Sequence, residues 1–547
     1  MLIFYSLLSF YSIIHKGADF QKGDTGSVQI SAMTTNNNLF PIDLKYLCNN
    51  ISFITDSSLG ANLIGKEIHT KSFEFQYGNT KKNELMICSK EINNKEIDYL
   101  IRNDYRLNFN INRFKVRDNY SFGLSFGKDS IIYNHFKIYI HYKTSNTTGM
   151  NIITGLTGTS ESQKSSNKDK ITFTFSIQLT KKDTEFDDTI FGTLIHQLYL
   201  FIMIIVNIIL IFLIIYFSVK SDIDSDSNEN SVGIDYEENF WYFMRGDIFR
   251  KPKRLSLLCS LSGYGFQLLL TSLFTSFMTY KSESSLIHMF LFFMLLFSLF
   301  SGFLSVRLFK MSEGSDWRTL IFYNVFLLPI VIFATFLIGH ITNYEMTSST
   351  CLTLNNCLKV LGGCSLHIFL SLIGSIISLT MKVPSLPFKV NLIPKQPVRQ
   401  PFYLRGLTKI SIVGLFVSLN IGISFDVIFR MMYGMRSVSA GPFLAFEVLL
   451  LLFLSSFSAS LVFLYICVKR ESYNWWWSSF LGPAFCGAVY LFLAVIYFFA
   501  NSLGDFLSFV VFLLSNGLIA AAFAATAGFC GFWSCFLFLR VLYGTLA

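Results

Sequence analysis

The sequence predicts a multi-pass α-helical membrane protein of nine transmembrane helices, preceded by an N-terminal lumenal domain that is mainly β and sandwich-like. Three observations predict it. The 547 residues are 52% hydrophobic and only 14% charged, with a mean hydropathy of +0.48, whereas soluble proteins carry roughly 25% charge. The charge is also uneven, since residues 1–194 hold 22 Lys/Arg and 19 Asp/Glu, 41 of the 79 charged side chains. Beyond residue 194, apolar runs long enough to cross a bilayer recur. These features exclude a soluble globular protein. The 60 phenylalanines and 17% aromatic content exclude a disordered chain, because such chains have too little apolar surface to bury. The net charge of +9 is no sign of nucleic-acid binding, as no basic stripe is interleaved with stacking aromatics.

Residues 1–17 read as a signal peptide. The run Met1 to Ile14 is apolar but too short to span a hydrocarbon core. Residues 18–194 form the predicted β domain. In Ile171 to Leu179 every odd position is apolar and every even one polar, which sets one face of a strand on a core and the other in water. Phe136–Tyr142 and Leu107–Ile111 repeat the pattern. One helix is expected among them, with Ser89 as N-cap and Ile92, Ile97, Leu100 and Ile101 on one side. Three glycosylation sequons, at Asn50, Asn119 and Asn146, all fall in this domain, in keeping with a lumenal location. Its only cysteines, Cys48 and Cys88, read either as one disulfide in an oxidising compartment or as buried thiols.

Residues 195–218 are the first predicted span. Eight more follow within 255–547, near 255–277, 286–306, 319–340, 358–380, 408–428, 443–467, 478–500 and 506–539. Loops sharing one side carry Lys220, Arg245, Arg250, Lys251, Lys253 and Arg254, then Arg307, Lys310 and Arg318, then five cations between Lys382 and Arg405, then Lys469 and Arg470. The opposite loops hold only Lys281, Arg430 and Arg436. The positive-inside rule makes the first set cytosolic, the β domain lumenal and, after nine spans, the C-terminus cytosolic. Cys351 and Cys357 then share a lumenal loop in which a second disulfide can form. The cytosolic loop 219–254 is rich in Asp and Glu and reads as a solvated linker. Its closing cluster Arg250-Lys251-Pro252-Lys253-Arg254 reads as a topology anchor or as a contact with anionic lipid.

Candidate sites are sparse. Trp475, Trp476 and Trp477 lie at the cytosolic edge of span eight, where indoles favour the interface; a protein-contact surface is the alternative. Glu447 is the carboxylate inside an apolar run, and such groups mark ion or substrate sites. Its place after Gly441-Pro442 equally suits an anion stabilised by a helix N-terminus. Small residues from Ala520 to Gly531 allow close helix packing, or a surface for other transmembrane helices. The eight histidines form no metal-ligand pattern. No phosphate-binding glycine loop or nucleophile-base pair is present, so neither catalysis nor a cofactor is expected.

Several segments resemble the nonaspanins, the transmembrane nine superfamily. In the first domain these are Lys22-Gly23-Asp24, Leu59 to Gly65, Cys88, Asp104 to Asn108 and Asn134-His135. In the membrane half, Arg245-Gly246-Asp247-Ile248-Phe249-Arg250-Lys251-Pro252 is similar to a cytosolic motif of the family, and Ser301 to Lys310 with Trp317 also fits. The most specific match is Glu471-Ser472-Tyr473-Asn474-Trp475-Trp476-Trp477, followed by Gly528-Phe529 and Phe532-Trp533. The family often has a second cysteine where this chain has residues such as Glu84, and its Lys-x-Asp or Lys-x-Asn ending is not matched by Tyr543 to Ala547. The resemblance implies an endomembrane protein, in the Golgi or endosomes. It also implies sorting, export or localisation of other membrane proteins through non-catalytic binding. The implied partners are membrane lipids, client transmembrane proteins and cytosolic trafficking machinery. The rival expectation is a transporter or channel for a small solute or ion, suggested by the bundle and Glu447.

Overall fold

The structure is a computed structural model. It describes the strand segments between residues 19 and 181, and residues 187–228, 241, 244–277, 283–347, 354–382, 399–433, 441–500 and 506–545, with isolated positions in 386–393. The expected signal peptide, the helix over 92–101, Cys48, Cys351 and the three sequon asparagines lie outside the described residues.

The alternating segments are strands. Nine longer ones are β1 (Thr25–Thr35), β2 (Asn38–Ile42), β3 (His69–Gln76), β4 (Glu84–Glu91), β5 (Arg106–Asn112), β6 (Ser121–Ser125), β7 (His135–Thr144), β8 (Asn151–Glu161) and β9 (Lys170–Lys181). They form two sheets, one ordered β8-β7-β9-β4 and the other β3-β1-β5-β6, with short strands at their edges and β2 on the end of β1. The apolar face of each sheet meets the other. Phe109 of β5 lies 5.7 Å from Phe136 of β7 and 6.1 Å from Phe175 of β9, and Phe73 of β3 is 5.0 Å from Phe175, ring centre to ring centre. The domain is therefore a sandwich whose core is the alternate residues of both inner faces.

Two findings depart from the sequence reading of this domain, and a third adds to it. Ser89 is not a helix N-cap but lies in β4, opposite Thr172 of β9; its segment is sheet-bound because the antiparallel ladder with β9 takes up its backbone. The pair β7 and β9 is parallel, within an otherwise antiparallel sheet. The polar face of β9 is also partly covered. His135 bonds Thr174 Oγ1 at 2.8 Å and Ser176 Oγ at 3.2 Å, and His141 bonds Thr180 Oγ1 at 2.6 Å. Such cross-strand pairs stabilise a ladder beyond its backbone bonds. Cys88 is buried and disulfide-bonded.

Ten α-helices follow among the described residues: α1 (Asp187–Asn228), α2 (Leu255–Phe277), α3 (Glu283–Leu296), α4 (Ser298–Met311), α5 (Trp317–Thr347), α6 (Leu354–Thr380), α7 (Gly406–Tyr433), α8 (Gly441–Lys469), α9 (Trp476–Ala500) and α10 (Phe506–Thr545). Nine spans long and apolar enough to cross a membrane occur among the described residues, α3 and α4 together making the third. The long apolar side chains of α1, such as Ile208 and Phe212, face outward, as lipid-facing residues do. The third span is interrupted at Phe297. There Gln267 of α2 donates to the carbonyl of Met294 at 2.7 Å, a way of satisfying backbone polar groups where a membrane helix is broken. Cys357 lies in the first turns of α6 rather than in a loop.

Small residues set the helix spacing. A Cβ on Gly302 of α4 would run into the carbonyl of Ser371, and one on Gly374 of α6 into that of Leu299. These two helices therefore touch backbone to backbone, the arrangement small residues permit in membranes. Gly487 of α9 meets the carbonyl of Ala520 in the same way. The small-residue stretch of α10 thus serves packing within the bundle.

Candidate functional site: a motif junction at the basic end of the bundle

The bundle end that carries most of the loop cations draws the separated motifs into one cluster. The segment Met244–Arg250 leaves α1 by way of the 219–254 loop and turns sharply: Asp247 N–H and Ile248 N–H both donate to the Met244 carbonyl, at 3.1 Å each. Gly246 stands where a Cβ would collide with the Asn391 side chain, and Asn391 N–H donates to the Gly246 carbonyl at 2.9 Å. Asp247 is buried and takes a 2.6 Å ion pair from Arg250. Arg250 also donates to the Asn391 carbonyl at 2.8 Å. A charged pair of this kind is stable away from water only when its remaining donors are satisfied, and the Asn391 carbonyl supplies that partner.

The tryptophans complete the junction. Trp475 is fully buried and donates from Nε1 to the Ile248 carbonyl at 2.7 Å. Its ring stacks on Trp476 at 4.8 Å and on Phe532 of α10 at 6.0 Å. Trp477, less buried, donates to the Lys253 carbonyl at 2.8 Å. From α10, Tyr543 donates to the Trp241 carbonyl at 2.9 Å, and its ring meets Phe249 at 5.9 Å. Gly528 packs against the ring of Phe480, one turn into α9.

Two expectations are corrected here. Trp475 and Trp476 are not interfacial anchors: they lie inside the protein, against Phe532 and Phe536, because each indole finds an apolar partner there and Trp475 a carbonyl. The 219–254 loop is not solvated throughout. Trp241, Met244, Ile248 and Phe249 are buried in the same core, since burying four large apolar side chains outweighs the polarity of the segment before them. Sequence reasoning missed Trp241 and Asn391. The run Phe240-Trp241-Tyr242-Phe243 in an acidic loop was the available signal for the first; Asn391 had none.

Two of the membrane-half motifs that resemble nonaspanins thus converge in space, though 227 positions separate Trp475 from Ile248. The family model for Endomembrane protein 70 matches residues 43–504. The chain belongs to this family. Curated relatives named as transmembrane 9 superfamily members align with more than half of the chain. Transmembrane 9 superfamily member 10 of Arabidopsis thaliana is 27% identical over 319 residues, 57% of this chain and 50% of its own. Transmembrane 9 superfamily member 4 of Homo sapiens is 28% identical over 344 residues, 60% of this chain and 52% of its own. Member 2 of Homo sapiens is 26% identical over 328 residues, 58% and 49% respectively. The aligned part of the chain spans about half the length of these relatives. No solved structure matches the chain.

The other sites of the sequence reading stand apart from this junction. Glu447 is half-buried in the second turn of α8. Among the described residues, no three His, Cys, Asp or Glu side chains converge as metal ligands would. The junction itself is made of indoles, carbonyls and one ion pair, a set suited to holding a loop against a bundle.

Proposed function

We propose that this Endomembrane protein 70 member sorts, exports or localises other membrane proteins by non-catalytic binding, in the Golgi or endosomes. The observation that carries the proposal is the family match over residues 43–504, whose description names the endomembrane system. In this reading the β sandwich and the three sequons are lumenal, the basic end and the C-terminus are cytosolic, and clients engage the bundle through their own transmembrane segments. The loop cations agree with that orientation. Trafficking machinery meets the basic end, and anionic lipid meets its exposed cations Lys251, Lys253 and Arg254.

Surface and organelle proteomics with and without the protein test the proposal. A set of membrane proteins is expected to leave its compartment on deletion, to return with the wild-type chain, and to crosslink to the bundle. Transport of a small solute or ion is the rival, favoured by Glu447 within an apolar helix. A flux in proteoliposomes that falls in Glu447→Gln, with protein localisation unaffected by deletion, would overturn the sorting reading. Loss of glycosidase-sensitive mass in Asn50→Gln, Asn119→Gln and Asn146→Gln checks the lumenal placement.

A further inference from the structure

His367, Gln267 and Ser301 present buried polar atoms that the chain itself leaves without partners. His367 of α6 is 4% exposed, and neither ring nitrogen makes a hydrogen bond. Gln267 of α2 is fully buried; its amide donates to Met294, but its Oε1 has no donor. Ser301 of α4 is also fully buried, with its hydroxyl unbonded. A helical serine can turn its hydroxyl to the carbonyl one turn back, so Ser301 alone would mean little. A histidine and a glutamine oxygen have no such local remedy.

These atoms lie at one depth. Gln267 is twelve residues from Leu255, His367 thirteen from Thr380 and Ser301 ten from Met311, all counted from the basic end of their spans. At 1.5 Å per residue, each is about 15–20 Å from that end, near mid-membrane. They also share neighbours. The His367 ring stacks on Tyr264 at 6.4 Å, and Gln267 follows Tyr264 by one turn of α2. Ser301 Oγ would lie 3.1 Å from a Cβ on Gly263, the residue before Tyr264. Toward the basic end lies a cluster whose members bond one another. Asn324 of α5 joins Ser305, Ser371 and Ser375 at 2.8, 3.3 and 3.2 Å, and Tyr264 donates to the Asn324 carbonyl at 2.7 Å.

A neutral imidazole has one nitrogen that donates and one that accepts. Whatever satisfies it must therefore do both, and must also donate to Gln267 Oε1. A bare cation offers no acceptor to the ring N–H, and an anion offers no donor to Gln267. We propose that α2, α4 and α6 enclose an internal hydration site at mid-membrane, in which bound water bridges His367, Gln267 and Ser301. Internal waters typically make two to four such bonds to buried polar groups. The site is distinct from the motif junction and independent of the sorting reading.

Water-edited nitrogen NMR on the full chain in phosphatidylcholine vesicles, with labelled histidine, tests the site. The His367 signal is assigned by its loss in His367→Asn and, independently, by its shift in Ser301→Ala. The ring nitrogens of His367 are expected to gain magnetisation from water several-fold faster than neighbouring α6 amides. Gln267→Met and Ser301→Ala should each slow that transfer several-fold while leaving Trp fluorescence and thermal unfolding cooperative. Transfer no faster than at the α6 amides would show a dry ring and overturn the proposal. Equal transfer in wild type and both variants would overturn it too, since water would then reach the ring without these partners.

Discussion

Trp475 donates its indole N–H to the Ile248 carbonyl across 2.7 Å, a buried bond between residues 227 positions apart. It fastens the segment ahead of the second span to the start of the eighth. The neighbouring Trp476 is equally buried, but its indole nitrogen makes no hydrogen bond. Two adjacent tryptophans of one motif therefore do different work, one as donor and packing surface, the other as packing surface alone.

Phenylalanine at each position separates these roles. Trp475→Phe leaves the Ile248 carbonyl buried and unpaired, which costs about 1–3 kcal/mol beyond the lost ring volume. Trp476→Phe loses volume only and is expected to be the milder change by that margin. Thermal unfolding of the detergent-solubilised protein measures the difference. Hydrogen exchange at Met244–Phe249 should quicken in Trp475→Phe alone.

The contact of α4 with α6 rests on absent side chains. Gly374→Ala would drive a methyl into the Leu299 carbonyl, a backbone atom that cannot swing aside, and is expected to cost about 1–3 kcal/mol by overpacking. Gly362→Ala, on the same helix with open space around it, should be neutral or stabilising by up to about 1 kcal/mol, because alanine favours helix. Unfolding midpoints of the two variants should move in opposite directions, or the Gly362 variant not at all.

The first span joins the bundle through a polar seam. Asn207 of α1 donates to Asn420 Oδ1 of α7 at 2.7 Å and accepts from Ser458 of α8 at 2.6 Å. Tyr199 adds a hydrogen bond to the Leu419 carbonyl. A double-mutant cycle of Asn207→Ala with Ser458→Ala should return a coupling of about 0.6 kcal/mol, and under roughly 2, the range of hydrogen bonds between membrane helices. Steric-trap or denaturant unfolding in bicelles measures it. A coupling of zero would mean that the Asn207–Ser458 bond does not help to seat the first span.

Helix α4 ends with Glu313 at φ 51°, where Glu313 N–H donates to the Lys310 carbonyl and Gly314 N–H to that of Phe309. This helix-ending loop favours glycine at its left-handed position, since a side chain there costs about 1 kcal/mol. Glu313 is exposed. Glu313→Gly should therefore stabilise the protein by up to about 1 kcal/mol, read as a raised unfolding midpoint.

Sequence alone determined what depends on local pattern. The strict alternation of Ile171–Leu179 encoded β9, and apolar runs of bilayer length encoded all nine spans, because each pattern reflects one element facing one solvent. The resemblance to nonaspanins also marked Gly246, Asp247 and the three tryptophans as family motifs. Only the tertiary structure decided how they meet. An indole at a membrane edge suits water, lipid or protein equally, and only the arrival of Ile248 and Phe532 beside Trp475 placed it inside. The parallel pairing of β7 with β9 and the stacking of His367 on Tyr264 have the same origin. Each depends on which distant helix or strand comes alongside, and no periodicity within a single element carries that information.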